Sequence, residues 1–319
     1  MSENNEAKIY DVIVIGAGPA GMTASMYAAR SGLTVAMIES LSPGGQMAQT
    51  EHLENYPGYA DSTSGFELSE IMHRQAESFG TETIYDEVTG VELKESPKRV
   101  TCAYGEYFAR SVVIATGARP AKLGIDKEDA LTGSGVSYCA TCDGNFFKDQ
   151  VVCIAGGGDT AAADAIYLSR ICKKVYMIVR RDVLRATAIY HDRLSQLEHV
   201  EIVWNTVVTE LLDDDGALVG LRTHNRISGE DSRIDCAALF VAVGSVPNVE
   251  FLGSQLALDP YGYIEAGEMG QTCEPGVFAI GDVRTKVLRQ VTTAVSDGAN
   301  AIESVSEYLL NHGAIQDVK

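Results

Sequence analysis

Apolar runs that lead into glycine-rich turns occur twice along the chain. Residues 9–15, IYDVIVI, are apolar and β-branched and predict a buried parallel strand. The turn GAGPAG at 16–21 follows at once, the next residues predict a helix ending near Gly32, and residues 33–38 predict a second strand, which ends in Glu39. Strand, G-x-G-x-x-G turn, helix, strand and acid in this order are typical of a dinucleotide site.

The chemistry of such a site explains its residue types. The first glycine makes the tight turn, the second lets the backbone approach a pyrophosphate, and the third lets the helix pack closely on the strand. The N terminus of the helix offers free N–H groups to the phosphates. Glu39 stands roughly 20 residues after the first glycine, where an acceptor for a ribose hydroxyl belongs.

The pattern returns later in the chain with a different ending. Residues 151–155, VVCIA, predict a strand, GGGDTA at 156–161 forms a G-x-G-x-x-A turn, and a predicted helix then leads to a strand at 174–179. This strand ends at Arg180-Arg181 instead of an acid, and Arg185 follows. Arginines suit a 2′-phosphate through charge-assisted bonds, so this site is predicted to prefer NADPH over NADH. The alternative is a solvated basic cluster.

Further apolar runs indicate how the two units are connected. The strand predicted at 112–115 precedes Thr116-Gly117, the run at 277–281 delivers Asp282 at its carboxyl end, and a helix is predicted from about 292 to 310. We therefore predict an α/β fold with two Rossmann-like, three-layer nucleotide-binding domains. Residues 120–246 form one domain, inserted into another made of 1–119 and 247–319, and the short crossings are candidate hinges.

Charge and composition indicate which kinds of binding partner and which cellular compartment are expected. The 319 residues include 25 Lys and Arg against 44 Asp and Glu, a formal net charge of −19, which disfavours binding to nucleic acid and to anionic membranes. The polar N terminus predicts no signal peptide, and the longest apolar runs are too short to cross a bilayer. The seven cysteines are odd in number and mostly isolated, so we expect a reducing, cytoplasmic setting.

The exception is CATCD, in which Cys139 and Cys142 are three positions apart and Asp143 follows. Structural zinc needs about four ligands, and no second pair with this spacing and no paired histidines accompany the motif. A static disulfide across so short a loop removes little chain entropy. A redox-active pair fits best, because C-x-x-C spacing lets two thiols close a disulfide and lets one resolve a mixed disulfide formed by the other. The remaining cysteines, 102, 153, 172, 236 and 273, are expected to be small buried residues.

Taken together, the motifs resemble the low-molecular-weight thioredoxin reductases of bacteria. They follow the order of that family and span almost the whole chain. The motifs are GAGPAG at 16–21, GGQ at 44–46, ENYPG at 54–58, ATG at 115–117, CATCD at 139–143, GGGDTA at 156–161, RRDVLRA at 180–186, GDV at 281–283 and RQVTTA at 289–294.

The resemblance implies two cofactors, a homodimer and a thioredoxin as the disulfide substrate. The residues implied for FAD are Gly16, Gly18, Pro19, Ala20, Gly21, Glu39, Gly44, Gly45, Gln46, Asn55, Val88, Thr116, Gly117, Gly281, Asp282, Arg289, Gln290 and Val291. Those implied for NADPH are Gly157, Gly158, Asp159, Thr160, Arg180, Arg181 and Arg185. Two positions depart from the family pattern: Val179 stands where His is common, and Asp159 stands where Asn is common.

The resemblance also implies a mechanism. NADPH passes a hydride to the flavin, the flavin reduces the Cys139–Cys142 disulfide, the dithiol reduces thioredoxin, and the inserted domain rotates between half-reactions. We expect Cys142 to lie nearer the flavin; which cysteine attacks the substrate stays open. Asp143 is the candidate proton donor and acceptor, a role that requires burial, and its alternative role is to cap the following turn.

Three other functions remain possible from the sequence. The same architecture serves flavin-dependent dithiol oxidases and ferredoxin-fed reductases, but both are expected to lack the arginine cluster. A non-catalytic, NADPH-binding redox sensor would keep both nucleotide sites without turnover. An assay of turnover with thioredoxin separates these functions.

Overall fold

The computed structural model describes residues 8–50, 53, 55–59 and 63–312. The chain forms two compact units. One contains the chain up to Arg119 together with the chain from Val246 onward, and the other contains Pro120–Ser245. The chain passes between them at two short strands, Ala118–Pro120 and Ser245–Pro247.

The strands described in the first unit form a seven-stranded sheet. Four strands run parallel in the order Glu82–Tyr85, Val35–Glu39, Ile9–Ile15 and Glu106–Ile114, with Val277–Ala279 pairing in parallel with the last. The strands Lys98–Cys102 and Val88–Glu92 continue the sheet in antiparallel pairing.

Alternating side chains of this sheet enter two separate cores, because successive residues of a strand point to opposite faces. Val12 and Val14 pack with the helices Pro19–Arg30, Gly65–Ser78 and Val291–Asn311. Ile13 and Ile15 face the other layer, which contains Leu252 and Leu256. The unit is therefore three-layered, and both faces of its sheet are covered.

The second unit repeats this arrangement around a parallel sheet of five strands. Their order is Val200–Val203, Lys174–Ile178, Val151–Ala155, Ala238–Val241 and Val136–Ser137. The helices Asp159–Leu168 and Ala188–Ser195 cover one face. An antiparallel sheet of Thr206–Asp214, Ala217–Asn225 and Asp231–Asp235 contributes to the core on the other face.

Both predicted strand–turn–helix–strand units are confirmed, with one shift at each helix start. The helices begin at Pro19 and Asp159, inside the glycine turns and two to three residues earlier than the sequence pattern indicated. Pro19 suits the first helical position, because its fixed φ matches a helix and its missing N–H is one that would lack a partner there. The early start brings the N terminus of each helix directly to its glycine turn.

One prediction about the isolated cysteines is wrong. Cys102, Cys153, Cys172 and Cys236 are buried, as expected, whereas Cys273 is exposed. Cys273 lies in the connection before the strand Val277–Ala279, and such connections run over the protein surface.

Candidate redox site and nucleotide sites

The two cysteines of CATCD are joined in a disulfide. Their Cα atoms are 5.3 Å apart. The strand Val136–Ser137 leads into a short helix, Ala140–Asp143, and Cys139 occupies its N-cap, where Sγ accepts a hydrogen bond of 3.2 Å from the N–H of Cys142. Cys142 is buried, whereas Cys139 is partly exposed. Over residues 8–50, 53, 55–59 and 63–312, no group of three or more His, Cys, Asp or Glu side chains is placed to hold a metal ion.

Asp143 is held by a residue that the sequence analysis did not identify. The hydroxyl of Ser137 donates a hydrogen bond of 2.6 Å to Oδ2 of Asp143 and accepts one of 3.1 Å from the N–H of Cys139. Asp143 makes no side-chain bond that caps the turn Gly144–Phe147 among the described residues. The carboxyl group is therefore directed back toward the start of the CATCD segment, which does not support the alternative role as a cap.

The first glycine turn has the shape that a pyrophosphate requires. A Cβ on Gly16 would lie 2.6 Å from the carbonyl oxygen of Ala115, and one on Gly21 would lie 1.9 Å from that of Gly16, so both positions exclude a side chain. At Gly18 no described atom lies within 4 Å of the Cβ position. The backbone at Gly18 is thus open to a ligand while the glycines on either side close the turn.

Glu39 stands at the end of the neighbouring strand and is fixed beside the turn. Its Oε2 accepts a hydrogen bond of 2.9 Å from the N–H of Ala17, and its Oε1 accepts one of 3.1 Å from Leu41. The N–H of Gly44 donates to the carbonyl oxygen of Ala17 at 2.7 Å, which brings the GGQ segment to the same turn. The helical turn Gly45–Gln49 contains Gly45 and Gln46.

The GDV segment contributes a second part of this site. Oδ1 of Asp282 is buried and has no hydrogen-bond partner among the described residues. Burial raises the pKa of this carboxyl above its usual range, against the opposing effect of Lys286 and Arg289. A buried carboxyl oxygen without a partner fits a site that receives hydroxyl groups from a ligand.

Hydrogen bonds between segments far apart in the chain place two further predicted residues, Asn55 and Thr116. Nδ2 of Asn55 donates to Oε1 of Gln290 at 2.9 Å, at the start of the helix Val291–Asn311. Oγ1 of Thr116 donates to the carbonyl oxygen of Asn248 at 2.7 Å, next to Gly117. Val88 lies in the strand that pairs with Lys98–Cys102, opposite Cys102, and packs against the core that contains Ile13 and Ile15.

The second glycine turn opens into a cavity of about 290 Å³. Gly156 and Gly157 line it together with the three predicted arginines, Arg180, Arg181 and Arg185. The N–H of Arg185 donates to the carbonyl oxygen of Gly157 at 2.7 Å, which fixes the arginine segment on the turn. In the part of the chain that the structure describes, none of the three guanidinium groups forms an ion pair. Lys122 also lines the cavity, and its distance along the chain concealed it.

The two departures from the family pattern have local explanations. Asp159 is exposed, and its Oδ1 accepts a hydrogen bond of 2.6 Å from the N–H of Thr187, at the start of the helix Ala188–Ser195. This carboxylate is thus bound within the protein. Val179 is buried against the turn, with Cγ1 at 3.0 Å from the Cβ position of Gly157. Gly158 and Thr160 stand at the start of the helix that follows the turn.

The chain matches known proteins over nearly its whole length. A family model described as "Pyridine nucleotide-disulphide oxidoreductase" matches residues 10–298, which include both glycine turns and the disulfide. The chain belongs to the pyridine nucleotide-disulphide oxidoreductase family. Membership of this family makes the chain an oxidoreductase. The Cys139–Cys142 disulfide fits the role of its redox-active group.

Relatives within the family carry a more specific name. The thioredoxin reductase of Listeria monocytogenes is 44% identical over 305 residues, covering 96% of this chain and 95% of that protein. The thioredoxin reductase of Bacillus subtilis is 43% identical over 305 residues, with 96% of each chain covered. The crystal structure of Lactococcus lactis thioredoxin reductase in the FR conformation has a TM-score of 0.80 and 41% identity, covering 95% of this chain and 99% of that chain. The resemblance and the α/β fold predicted from the sequence are thus confirmed.

Among the helices that the structure describes, none combines the length and the apolar character needed to cross a membrane.

Proposed function

We propose that this oxidoreductase reduces the disulfide of a thioredoxin, with NADPH as the electron source and FAD as the bound carrier. One observation carries the proposal: the Cys139–Cys142 disulfide lies in the same unit as a glycine turn whose cavity is lined by three arginines, none of which forms an ion pair with a described residue. The names of the relatives support thioredoxin as the substrate.

The residues of the first unit fit FAD. When bound, FAD accepts a hydride from NADPH and delivers two electrons to a disulfide. The open backbone at Gly18 would admit the pyrophosphate, Glu39 would accept a bond from a ribose hydroxyl, and the unpartnered Oδ1 of Asp282 would accept another hydroxyl of the cofactor.

The residues of the second unit fit NADPH. Arg180, Arg181 and Arg185 would bind the 2′-phosphate, because guanidinium groups form charge-assisted and often bidentate bonds with phosphate. The carboxylate of Asp159 accepts the N–H of Thr187, so it has a hydrogen-bond partner within the protein. The arginine cavity favours this function over a dithiol oxidase or a ferredoxin-fed reductase.

The chain's own chemistry is thiol–disulfide exchange. Two electrons and two protons convert the Cys139–Cys142 disulfide to a dithiol. One thiolate attacks the thioredoxin disulfide, which forms a mixed disulfide and releases one thioredoxin thiolate. The second cysteine then attacks the mixed disulfide, which restores the Cys139–Cys142 bond and releases reduced thioredoxin. Asp143 would give and take the protons that the leaving thiolate and the attacking thiol require.

The remaining predictions concern motion and assembly. Hydride transfer needs reacting atoms about 3–3.5 Å apart, and we do not expect the nicotinamide and the disulfide to reach the flavin at the same time. We therefore infer that Pro120–Ser245 rotates to present first the nicotinamide and then the disulfide to the flavin. A crosslink at the crossings should preserve one half-reaction and abolish turnover.

A homodimer and a cytoplasmic location stay predictions, which sedimentation equilibrium and cell fractionation test.

Anaerobic titration of the purified yellow protein tests the proposal. NADPH should bleach the flavin absorbance at low concentration, NADH should need a far higher concentration, and thioredoxin with an excess of NADPH should then be reduced catalytically. If dithiols bleach the flavin and neither nucleotide does, electrons enter elsewhere and an oxidase or a ferredoxin-fed reductase replaces this proposal. If the nucleotide reduces the flavin but no disulfide protein is turned over, a redox sensor replaces it.

A further inference from the structure

Glu128 is a buried carboxylate between the arginine cavity and the redox disulfide of the unit Pro120–Ser245. Its side chain accepts hydrogen bonds from three donors. Oε1 accepts from the N–H of Leu123 and from the hydroxyl of Tyr138, both at 2.9 Å, and Oε2 accepts from the N–H of Gly124 at 2.8 Å. Leu123 lines the cavity, and Tyr138 directly precedes Cys139. Glu128 is only 3% exposed, so each of these bonds replaces water that the carboxylate lost on folding.

The segment that carries Cys139 is held from two sides. Successive side chains of an extended segment point in opposite directions. Ser137 binds Asp143 and the N–H of Cys139 on one side, and Tyr138 binds Glu128 on the other. Burial raises the pKa of the Tyr138 hydroxyl, and its bond to Glu128 raises that pKa further, so the hydroxyl stays a donor at neutral pH.

The backbone of Glu128 is itself fixed. Lys127 has a φ of 68°, in the left-handed region that few residues other than glycine adopt, and its carbonyl oxygen accepts a bond of 3.0 Å from the N–H of Leu131. Oγ1 of Thr132 donates to the carbonyl oxygen of Glu128 at 2.9 Å. The carboxylate therefore extends from a closed turn, and it has a defined position from which to hold its three donors.

We propose that Glu128 is a positioning residue that fixes both the Leu123–Gly124 segment, in which Leu123 lines the arginine cavity, and the Tyr138–Cys139 segment of the redox site. A carboxylate suits this task because it only accepts hydrogen bonds, whereas an amide of the same shape would turn an N–H toward one of the three donors. The role at the cavity rests on the proposed function. The role at the disulfide does not, because the disulfide is present in the structure.

Tyr138→Phe tests the disulfide arm with the least disturbance, since it removes one hydroxyl and leaves the bonds to Leu123 and Gly124. Freeing Cys139 increases the conformational entropy lost when the disulfide closes. The equilibrium constant for closure should fall three- to tenfold, and tenfold corresponds to a reduction potential about 30 mV less negative for a two-electron couple. Holoprotein equilibrated in dithiothreitol redox buffers, then alkylated and analysed by mass spectrometry, gives the potential without NADPH or thioredoxin.

Tyr176→Phe is the matched control. Tyr176 lies in the same unit, is partly buried, and its hydroxyl donates no hydrogen bond to any residue described. Its potential should equal that of the wild type. If Tyr138→Phe also has the wild-type potential, even with a lowered Tm, the bond to Glu128 is structural only and the positioning role at the disulfide is overturned.

Glu128→Ala tests both arms at once, because it removes the acceptor of all three bonds. It should shift the potential as Tyr138→Phe does and should also raise the KM for NADPH three- to tenfold, whereas Tyr138→Phe should leave that KM unchanged. An unchanged KM in a folded Glu128→Ala protein overturns the role at the cavity. If the wild type itself fails to oxidise NADPH, the proposed function fails, and the shift in potential still decides the role at the disulfide.

Discussion

The hydroxyl of Ser137 lies 2.6 Å from Oδ2 of Asp143, and the same hydroxyl accepts the N–H of Cys139. Ser137 thus links the candidate proton carrier to the first cysteine of the disulfide. Because Asp143 is bound on the side of the disulfide and not on the following turn, its orientation depends on this one hydroxyl.

Ser137→Ala should lower the kcat for thioredoxin reduction about tenfold, which corresponds to ~1.4 kcal/mol and lies within the roughly 0.5–1.5 kcal/mol that one hydrogen bond usually contributes. The carboxyl group would lose its orientation, while the rate of flavin reduction by NADPH should not change. Steady-state assays and rapid-mixing absorbance measure the two quantities. Ser195→Ala is the control, because its hydroxyl donates to the carbonyl oxygen of Asp192 in the same unit. A wild-type kcat in Ser137→Ala would remove the orienting role.

Replacement of either redox cysteine should separate the two halves of the reaction. Cys139→Ser and Cys142→Ser each leave one sulfur, so no disulfide can close and thioredoxin reduction should fall below detection. NADPH should still bleach the flavin in anaerobic spectra, because the nucleotide sites do not contain these residues. Cys273→Ser, at an exposed cysteine outside the redox site, should keep wild-type turnover. Thioredoxin turnover in both redox variants would contradict the assignment of the pair.

The arginine cavity makes a prediction about cofactor choice. We expect an alanine substitution at Arg180, Arg181 or Arg185 to raise the KM for NADPH about ten- to a hundredfold. The reason is that a hydrogen bond to a charged group contributes about 1.5–3 kcal/mol. The KM for NADH should change little, because NADH lacks the 2′-phosphate. Arg193→Ala serves as the control, since Arg193 is exposed on the helix Ala188–Ser195 and does not line the cavity. Equal losses with both nucleotides would show that the arginines do not read the 2′-phosphate.

The features predicted from sequence are those set by neighbours along the chain. The glycine turns at 16–21 and 156–161 each lie between a buried strand and a helix, so spacing alone identified them. Arg180 and Arg181 could be predicted because they closely follow the strand Lys174–Ile178, whose last carbonyl oxygen accepts the N–H of Gly156 in the turn. The first residues of the two helices were predicted too late, because each helix begins within its glycine turn, at Pro19 and at Asp159.

The residues that the sequence did not reveal act through contacts between nearby loop segments that only the fold turns toward each other. Glu128 resembles any surface acid in the sequence, and only the folded chain brings it to Leu123, Gly124 and Tyr138. Ser137 looks like an ordinary polar strand residue until the CATCD helix places Asp143 against it. The prediction for Cys273 was wrong because it rested on the general preference of cysteine for burial. That preference does not tell which cysteine lies on a surface connection, as Cys273 does.

Asp164 gives a prediction about stability and pH. Burial raises the pKa of Asp164 to about 7, from the value near 3.8 that it has when exposed. Between about pH 4 and pH 7, Asp164 keeps its proton in the folded chain and loses it in the unfolded chain. The free energy of unfolding therefore falls as the pH rises through this window, and the contribution of Asp164 is fully present only below about pH 4. Asp164→Asn does not titrate and lacks this loss.

Urea unfolding at pH 5 and pH 7.5 measures the effect. The free energy of unfolding of Asp164→Asn, relative to the wild type, should be higher at pH 7.5 than at pH 5 by ~2 kcal/mol. Asp192→Asn, at an exposed position in the same unit, should show no such difference. Parallel pH dependence of the wild type and Asp164→Asn would mean that Asp164 titrates normally in the folded chain.

Two glycines of the first turn should respond oppositely to the same added methyl group. At Gly18 the backbone is extended, with φ −73° and ψ −179°, and no described atom lies within 4 Å of the Cβ position. Gly18→Ala should therefore leave the Tm of the apoprotein unchanged within about 2 °C, given that surface substitutions usually change stability by less than ~0.5 kcal/mol. It should raise the Kd for FAD at least about tenfold, because the methyl group would occupy the space through which the backbone approaches the pyrophosphate.

Gly21→Ala should instead destabilise the apoprotein itself. Its Cβ would lie 1.9 Å from the carbonyl oxygen of Gly16, so the turn or the helix Pro19–Arg30 must shift, at a cost of about 1–3 kcal/mol. Calorimetry of the apoproteins and fluorescence titration with FAD measure both quantities for both variants. FAD binding at the wild-type Kd in Gly18→Ala would mean that the open space at Gly18 does not receive the cofactor, whereas a large loss of Tm in Gly18→Ala would mean that the space belongs to the fold.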